Sequence, residues 1–285
     1  MWIVLLVTTL CVPLHFAAPL SNATENASNS VYGGQPMNGA IPSLVALFTE
    51  GGGGPDGYFC GGTLLNHDYI LTAAHCAKVV QTGRPVTIVA GLPSLYSSTL
   101  PNTQTTTARE ATLYPTYNAL THADDIAVIR LNMPFMYTAT VQPTRIFWND
   151  RFSELPADQF VNIVGFGMTV YDASGVNRNY HLNRASVQLV DREECRVLYN
   201  NVPITENQIC TDSTGKSLMS GDSGGPVIYN PSGSLTNAKE NRQIGINSYV
   251  FTKNQISHNT GYPDVATRTA SYCKWISIFT YYNCL

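Results

Sequence analysis

The chain has 285 residues, of which 44% are hydrophobic and 12% are charged, and its formal net charge is -3. A chain of this length builds one large domain or two small ones, and its apolar content is sufficient for a buried core. The small negative charge and the lack of a basic run argue against a nucleic-acid-binding surface.

An apolar run at the N-terminus covers residues 2–12 and is followed by the small residues Ala17 and Ala18. The run is too short to span a bilayer comfortably, and its position before small residues is typical of a secretory signal peptide. We therefore predict a signal peptide at residues 1–20, with an uncleaved anchor as the alternative. No later segment is apolar enough to span a membrane, so the protein is expected to be secreted and extracellular.

A polar segment, residues 21–30, separates this run from Val31. It contains two N-glycosylation sequons, at Asn22 and Asn26, which are acceptor sites in surface segments of exported proteins. Their crowding just before Val31 predicts that residues 21–30 are an exposed propeptide and that the folded domain covers residues 31–285.

The body of the chain, from Val31 to about residue 268, is predicted to be built from β-strands. Short runs rich in Val, Ile, Thr and Tyr alternate with clusters of Gly, Pro, Asn and Asp, and no long helix alternates with them. Many short strands without a fixed repeat favour a sandwich or a barrel, and we place the boundary between two β units at residues 140–150. The predicted strands cover residues 43–48, 58–65, 69–72, 86–90, 125–131, 160–165, 186–190, 226–229 and 243–250.

Two helices are predicted in the second half of the chain. The first covers residues 191–200 and starts with an acidic residue, which favours a helix N-terminus. The second covers residues 269–281 at the C-terminus and is amphipathic. Its apolar residues, which we expect to dock on the core, are Tyr272, Trp275, Ile276 and Phe279.

Seven cysteines are present, and Cys11 lies in the predicted signal peptide. An even number of the remaining cysteines in an exported chain predicts a disulfide framework. Their spacing lacks the C-x-x-C pattern of a structural zinc site. The six cysteines are Cys60, Cys76, Cys195, Cys210, Cys273 and Cys284.

Three local patterns carry residues suited to acyl transfer. Residues 71–76 read Leu-Thr-Ala-Ala-His-Cys, residues 124–131 read Asp-Asp-Ile-Ala-Val-Ile-Arg-Leu, and residues 221–226 read Gly-Asp-Ser-Gly-Gly-Pro. A serine hydroxyl is a poor nucleophile at neutral pH unless an imidazole takes its proton and a carboxylate orients that imidazole. Glycines beside the serine allow the tight turn that presents its hydroxyl and backbone N–H to one substrate carbonyl. Each pattern alone is weak evidence for a catalytic site, whereas all three patterns in this order are a specific indication of one.

Together, these patterns resemble the chymotrypsin/trypsin family of serine proteases, and the resemblance extends from Val31 to the C-terminal helix. Residues 165–167, Gly-Phe-Gly, resemble the family's Gly-Trp-Gly turn, and residues 248–250, Ser-Tyr-Val, resemble the segment that lines the substrate backbone. The resemblance implies an all-β, chymotrypsin-like fold. Two six-stranded antiparallel β-barrels, at about residues 31–145 and 146–268, precede a C-terminal helix, and the active site lies in the cleft between them.

The resemblance also implies a role for each catalytic residue. His75 is the general base and then the general acid, Asp125 orients it, and Ser223 is the nucleophile. The backbone N–H groups of Gly221 and Ser223 form the oxyanion hole. Asp124 adjoins Asp125, and we assign the orienting role to Asp125 because the apolar strand follows it directly.

The resemblance places a substrate pocket next to the reactive serine. Its base is Ser217 rather than the Asp that selects Lys or Arg in trypsin-like members. Leu218 and Val250 are expected to narrow the pocket and to cover the charge of Asp264, a residue that resembles one in some elastase-like pockets. Small or medium apolar P1 residues are therefore expected, with chymotrypsin-like specificity as the alternative. His122 is assigned to a subsite wall or, equally, to a surface loop. The predicted pocket residues are Ser217, Leu218, Ser248, Tyr249, Val250 and Asp264.

Residues 31–34, Val-Tyr-Gly-Gly, resemble the Ile-Val-Gly-Gly start of mature enzymes in this family. The resemblance implies activation by cleavage after Ser30, which frees the ammonium of Val31 to pair with Asp222. Most relatives are cut after Lys or Arg, but no basic residue precedes Val31. We therefore predict cleavage by an enzyme that accepts small residues, with the protein itself as one candidate.

The resemblance implies two disulfides, Cys60–Cys76 and Cys195–Cys210. Cys273 and Cys284 remain, and on a straight helix they lie about 16 Å apart, too far for a disulfide. They pair only if the chain folds back near residues 281–283. Met219 stands where the family usually has a cysteine, which predicts a looser specificity loop.

No cofactor and no metal is expected, because residues 91–109 lack the paired acids that bind calcium in some relatives. The expected partners are protein or peptide substrates, with macromolecular protease inhibitors as further candidates. No nucleic-acid or membrane partner is expected, and the protein is expected to be a monomer. The alternative function is that of a non-catalytic secreted homologue that acts as a binding protein.

Overall fold

The computed structural model describes residues 31–49, 55–97, 100–147, 155–172, 175–178, 180–200, 202–251 and 261–284. Side chains are described for these residues except Pro55 and residues 168–178. The predicted signal peptide and propeptide, with Asn22 and Asn26, lie outside the described residues. Across the described ranges, no helix is both long enough and apolar enough to cross a membrane.

A closed six-stranded antiparallel barrel forms the first half of the fold, after a short strand β1 (Gln35–Pro36). Its strands are β2 (Leu44–Thr49), β3 (Tyr58–Leu64), β4 (Tyr69–Thr72), β5 (Val86–Ala90), β6 (Gln104–Leu113) and β7 (Ala127–Leu131). They pair in the order β2-β3-β4-β7-β6-β5, and β5 closes the ring by pairing with β2.

A second ring of six antiparallel strands follows. Its strands are β8 (Phe160–Gly165), β11 (Asn183–Val190), β12 (Gln208–Thr211), β13 (Pro226–Tyr229), β14 (Arg242–Tyr249) and β15 (Asp264–Arg268). They pair in the order β8-β11-β12-β15-β14-β13, and β13 returns to β8. A hairpin of β9 (Met168–Asp172) and β10 (Gly175–Arg178) extends from this barrel, and β1 pairs with β11. The predicted two-barrel fold with a C-terminal helix is confirmed.

The strand β2 joins the two barrels because both of its faces are buried. Val45 and Leu47 point into the core of the first barrel. The alternate residues Leu44, Ala46 and Phe48 pack in a separate cluster that includes side chains of the second barrel, such as those of Val164 and Ile228. Because side chains alternate along a strand, a single apolar segment supplies both interfaces.

Three α-helices are present among the described residues: α1 (Ala74–Gln81), α2 (Arg192–Leu198) and α3 (Cys273–Thr280). The carboxylate of Asp191 caps α2 by accepting from the N–H groups of the two residues after Arg192. A 3-10 turn, Thr269–Tyr272, precedes α3, so the predicted C-terminal helix has two parts. The helix α1 was not predicted, because it has only eight residues and Ala73 offers no side-chain cap.

The three disulfides of the described residues are Cys60–Cys76, Cys195–Cys210 and Cys273–Cys284. The third one forms because α3 ends at Thr280 and Tyr281 adopts a left-handed backbone conformation with φ of 57°. The chain then folds back, and the Cα atoms of Cys273 and Cys284 lie 6.0 Å apart. The expectation that Phe279 docks on the core is wrong: its side chain is 42% exposed, since it lies on the outer face of this short helix.

Candidate active site

His75 lies in the first turn of α1, where the fold leaves backbone N–H groups without helical partners. Its own N–H donates to Asp125 Oδ1 over 2.9 Å, and its ring Nδ1 lies 2.7 Å from Asp125 Oδ2. The two contacts use both carboxylate oxygens, so the imidazole is held in position and in orientation. The disulfide Cys60–Cys76 fastens the next residue to β3.

Asp125 lies two residues before the start of β7 and is completely buried. The second barrel supplies two further contacts to it. Ser248 Oγ, on β14, donates to Asp125 Oδ2 over 2.5 Å, and Thr267 Oγ1, on β15, donates to the backbone carbonyl of Asp125 over 2.9 Å. The carboxylate therefore lies where the two barrels meet and has hydrogen-bond donors from both.

The partners of this carboxylate decide its charge. Burial by itself raises the pKa of Asp125, but His122, His75 and Ser248 together outweigh burial and hold the pKa well below its usual range. Asp125 is therefore ionised at neutral pH and accepts a hydrogen bond from His75 Nδ1–H. This tautomer leaves Nε2 of the neutral imidazole free to accept a proton.

The neighbouring acid, Asp124, has a different environment. Its side chain accepts from Thr116 Oγ1 at 2.5 Å and from Tyr272 OH at 2.6 Å, and its backbone φ is 56°. These contacts tie the loop to the 3-10 turn before α3. Of these two adjacent acids, Asp125 is the one that contacts His75.

Ser223 lies half-buried on a tight turn held between the barrels. Its carbonyl accepts from the N–H of Gly61 on β3 over 2.8 Å, so the first barrel positions the serine of the second. Gly224 has φ of +78°, and a Cβ there would lie 2.3 Å from Thr72 Oγ1. Only glycine fits this approach of the turn to β4, which explains the glycine after the serine.

The backbone N–H groups of Gly221 and Ser223 have no acceptor among the described residues. The carbonyl of Gly221 accepts from Tyr58 OH over 2.6 Å, which fixes the peptide unit that follows it. Ser223 Oγ likewise has no hydrogen-bond partner in the described part of the chain, and His75 Nε2 lies 3.5 Å from Cys76 Sγ. Two N–H groups and one hydroxyl are thus free to contact a substrate carbonyl.

Asp264, at the start of β15, is a second buried carboxyl group. Its Oδ1 accepts from Ser217 Oγ over 2.8 Å, and its Oδ2 accepts from the N–H of Leu218 over 2.7 Å. Burial raises the pKa of Asp264 to about 7, and these two hydrogen bonds limit the rise. Hydrogen bonds from the Ser217 hydroxyl and the Leu218 backbone N–H therefore stabilise the Asp264 carboxyl group, more than the apolar atoms of these two residues do by covering it. Val250 is half-buried, and residues 252–260 of the predicted specificity loop lie outside the described residues.

Asp222 is a third buried carboxyl group, directly before Ser223. It accepts from the N–H groups of Gly167 and Met219 over 2.8 and 2.9 Å. Burial raises its pKa to about 7, and no positively charged side chain among the described residues pairs with it. A Cβ at Gly167 would lie within 2.6 Å of this carboxyl group, so the glycine makes room for it.

The segment that begins at Val31 is docked against the same barrel. Val31 is completely buried in a cluster with Leu218 and Val161. Tyr32 forms an antiparallel bridge with Ser217, whose N–H donates to the Tyr32 carbonyl over 3.1 Å. The predicted N-terminus of the mature protein thus contacts the segment that carries the predicted pocket.

A protein-family model described as Trypsin matches residues 31–276. The chain belongs to the trypsin family. The match covers both barrels and the first half of α3, including every residue of the site described above.

Three relatives of known type are similar to this trypsin-family chain. Brachyurin from Leptuca pugilator is 32% identical over 252 residues, which are 88% of this chain and 98% of the relative. A venom serine protease from Polistes dominula is 29% identical over 72% of each chain. The CLIP domain-containing serine protease B9 from Anopheles gambiae is 31% identical over 70% of this chain, and this chain spans about half of that relative (53%). The protein is a serine endopeptidase of this family.

One residue that supports the site of this trypsin-family member, Tyr58, was not predicted from the sequence. Tyr58 holds the carbonyl of Gly221 and packs edge-on against Phe48 and Phe166. It lies two residues before Cys60, on the strand that the histidine disulfide fastens. That spacing places its side chain near the site, but it does not show which backbone group the hydroxyl reaches.

We predict that Ser248→Ala lowers kcat/KM by roughly 10-fold or more, because a hydrogen bond to a buried charge is worth about 1.5–3 kcal/mol. Without this donor the carboxylate has one hydrogen bond fewer, so Asp125 orients the His75 imidazole less firmly. The control is Thr267→Val, which removes the hydrogen bond to the backbone carbonyl of Asp125 and leaves its carboxylate partners in place. An unchanged kcat/KM in folded Ser248→Ala protein would show that Ser248 only supports the fold.

Proposed function

We propose that the protein is a secreted endopeptidase that hydrolyses peptide bonds through an acyl-enzyme intermediate, with His75, Asp125 and Ser223 as its catalytic triad. The observation that carries the proposal is the buried, ionised Asp125 that holds His75 Nδ1 at 2.7 Å. A carboxylate in this position stabilises the imidazolium that forms when His75 takes a proton from the nucleophile.

The reaction follows from these positions. Ser223 Oγ attacks the substrate carbonyl carbon and transfers its proton to His75 Nε2, and the carbonyl oxygen becomes an oxyanion. The N–H groups of Gly221 and Ser223 stabilise that oxyanion, and the loss of one such donor typically costs about 100- to 1000-fold in kcat. The peptide C–N bond then breaks as His75 gives its proton to the amine. Water repeats the attack and releases the acid from Ser223.

The hydrogen bond between Ser223 and His75 is proposed to form in the substrate complex. Catalytic hydrogen bonds are often long in free enzymes and shorten when the substrate binds. The N–H of Gly61 and the disulfide of Cys76 hold the two residues on elements that already face each other.

A fluorophosphonate is expected to label Ser223 in the mature protein and to label neither Ser223→Ala nor His75→Ala. The reagent forms a covalent bond only with an activated hydroxyl, and mass spectrometry locates the adduct. Folding of both variants is checked by circular dichroism. A folded wild-type protein that acquires no adduct on Ser223 would instead favour the non-catalytic binding homologue.

We propose that the preferred substrates carry a small or medium apolar residue at P1. The carboxyl group of Asp264 is completely buried and fully occupied by Ser217 and Leu218, so it offers no free charge to a basic P1 side chain. The Oγ atom of Ser217 is also engaged in its hydrogen bond to Asp264. An apolar side chain in such a pocket gains about 1–3 kcal/mol per matching methylene, so the selectivity is graded.

Peptide substrates that differ only at P1 are expected to show higher kcat/KM for Ala, Val and Leu than for Arg or Asp, by roughly 10-fold or more. Phe and Tyr are included because a preference for them would select the chymotrypsin-like alternative. Cleavage after Arg with none after Ala or Val would contradict an apolar pocket.

Activation is proposed to occur by cleavage after Ser30. The new ammonium of Val31 then pairs with Asp222, and Val31 already lies within the same barrel. Residues 1–20 and 21–30 are proposed to be the signal peptide and the propeptide, with glycosylation at Asn22 and Asn26. The venom serine protease from Polistes dominula, by its name, supports an exported role.

The uncut chain is expected to lose stability as the pH rises from about 4 to about 7. The unfolded chain ionises Asp222 near pH 3.8, whereas the folded chain keeps it protonated up to about pH 7, so the folded state binds more protons in this window. The loss is at most about 4 kcal/mol for a shift of this size. Urea denaturation of the Ser223→Ala precursor at several pH values measures it.

The Asp222→Asn variant of the same precursor is the control, and it should lose much of the pH dependence. Asp264 contributes in the same direction, because burial also raises its pKa to about 7. The Asp264→Asn variant of the precursor therefore measures the part of the pH dependence that Asp264 causes. Protein that begins at Val31 should lack the contribution of Asp222, since an adjacent ammonium favours the charged carboxylate. An equal dependence of stability on pH in the precursor, its Asp222→Asn variant and the protein that begins at Val31 would contradict the proposed pairing.

A further inference from the structure

A second histidine reaches the catalytic carboxylate. His122 Nδ1 lies 3.5 Å from Asp125 Oδ2, the oxygen that His75 Nδ1 also approaches. The two rings face each other edge to face with their centroids 5.6 Å apart. His75, His122 and Asp125 can each offer one ligand atom within 4.8 Å of the other two.

The Nδ1 atom of His122 is buried, and its 3.5 Å contact with Asp125 Oδ2 is too long and poorly aligned to count as a full hydrogen bond. A buried polar atom whose hydrogen bond is incomplete is unfavourable, and a fully unsatisfied one typically costs about 1–3 kcal/mol, so a bound ion would stabilise this nitrogen. The position of the ring is nevertheless well defined. The ring packs against Tyr249 at 5.2 Å, and the residue has φ of 53° in a loop that the side chain of Asn118 organises by accepting two backbone N–H groups.

Two imidazoles and a carboxylate are the donor set that Zn²⁺ prefers in sites with an open fourth position. Tetrahedral bonds of about 2.0–2.1 Å place ligand atoms roughly 3.3 Å apart. The separation of 3.5 Å between His122 Nδ1 and Asp125 Oδ2 already matches this value. The separation of 2.7 Å between His75 Nδ1 and the same oxygen has to open by about 0.6 Å, which a small rotation of the partly exposed His75 ring provides.

Outer contacts also support this donor set. Ser248 Oγ donates to Asp125 Oδ2, and the N–H of His75 donates to Oδ1, so the carboxylate stays oriented when an ion binds. The side chains of His75 and His122 are 26% and 32% exposed, which leaves a path from solvent. A neighbouring group, Cys60, His75 and Cys76, does not compete, because its two sulfurs form a disulfide.

We propose that His75, His122 and Asp125 form an inhibitory binding site for Zn²⁺, so that the ion reversibly switches off proteolysis. The ion is an inhibitor and not a cofactor. A neutral imidazole carries one proton, and His75 Nδ1 can give its lone pair to the metal only if that proton moves to Nε2. Nε2 then cannot accept the proton of Ser223, and the carboxylate that orients the base is also occupied.

The site uses two residues of the proposed triad, and its direct test does not require turnover. Calorimetric titration of ZnCl₂ into the full-length chain with Ser223→Ala is expected to give one binding site. The added change His122→Asn should weaken binding by at least about 10-fold, a loss that even outer-shell changes produce. Asn tolerates the positive φ of residue 122, and its neutral amide is a poor zinc ligand.

The matched control is His67→Asn, since His67 is an exposed histidine that contacts the carbonyl of Phe135 and stacks on Tyr137 away from this cluster. This control is expected to bind Zn²⁺ like the parent. Circular dichroism establishes that each variant is folded. Absence of binding in the parent, or equal binding in the His122 and His67 variants, would overturn the site.

The inhibitory effect is tested separately in the active protein with Ser223 present. Zn²⁺ should reduce peptide hydrolysis with the affinity seen by calorimetry, EDTA should restore the rate, and His122→Asn should require at least about 10-fold more Zn²⁺. Binding without loss of activity would overturn the inhibitory role. A protein that binds Zn²⁺ but acquires no fluorophosphonate adduct would refute the proposed catalysis and leave the metal site standing.

Discussion

The buried carboxylate of Asp125 is the interaction on which the arrangement of the active site depends. An ionised group without contact to water costs several kcal/mol unless hydrogen bonds replace its hydration. Asp125 obtains these bonds from α1 in the first barrel and from β14 in the second, while β15 holds its backbone carbonyl. The requirement to satisfy one charge therefore aligns the two barrels and places His75 in the cleft.

Three buried carboxyl groups in this protein differ in what surrounds them. Asp125 has two imidazoles and a hydroxyl nearby, and its pKa is held low. Asp222 and Asp264 have only neutral donors, and burial raises the pKa of each to about 7. The first environment suits a permanent negative charge beside a base. The other two suit groups that stay neutral or await a cation, which for Asp222 is the proposed ammonium of Val31.

The loop before Asp125 supports the active site and also leaves the His122 side chain partly exposed. Asp124 and His122 both adopt positive φ, a conformation that side chains other than glycine adopt at some cost, and tertiary contacts hold each of them. Asp124 is tied to Tyr272 and Thr116, whereas His122 packs on Tyr249 and places its Nδ1 atom 3.5 Å from the catalytic carboxylate. The same loop thus stabilises the site and leaves one ligand atom available.

The sequence by itself predicted nine of the twelve barrel strands and the candidate triad, because apolar runs and the patterns around His75, Asp125 and Ser223 are local signals. The strands β6, β12 and β15 were not among those predicted. The sequence did not reveal α1, whose two turns lack a side-chain cap, or the fold-back after Thr280 that joins Cys273 to Cys284. Only the tertiary structure decided these features, together with the hydroxyl of Tyr58 on Gly221 and the approach of His122 to Asp125. The physical reason is sequence distance: Tyr58 and Gly221 are 163 residues apart, and such contacts depend on how the barrels pack rather than on any local pattern.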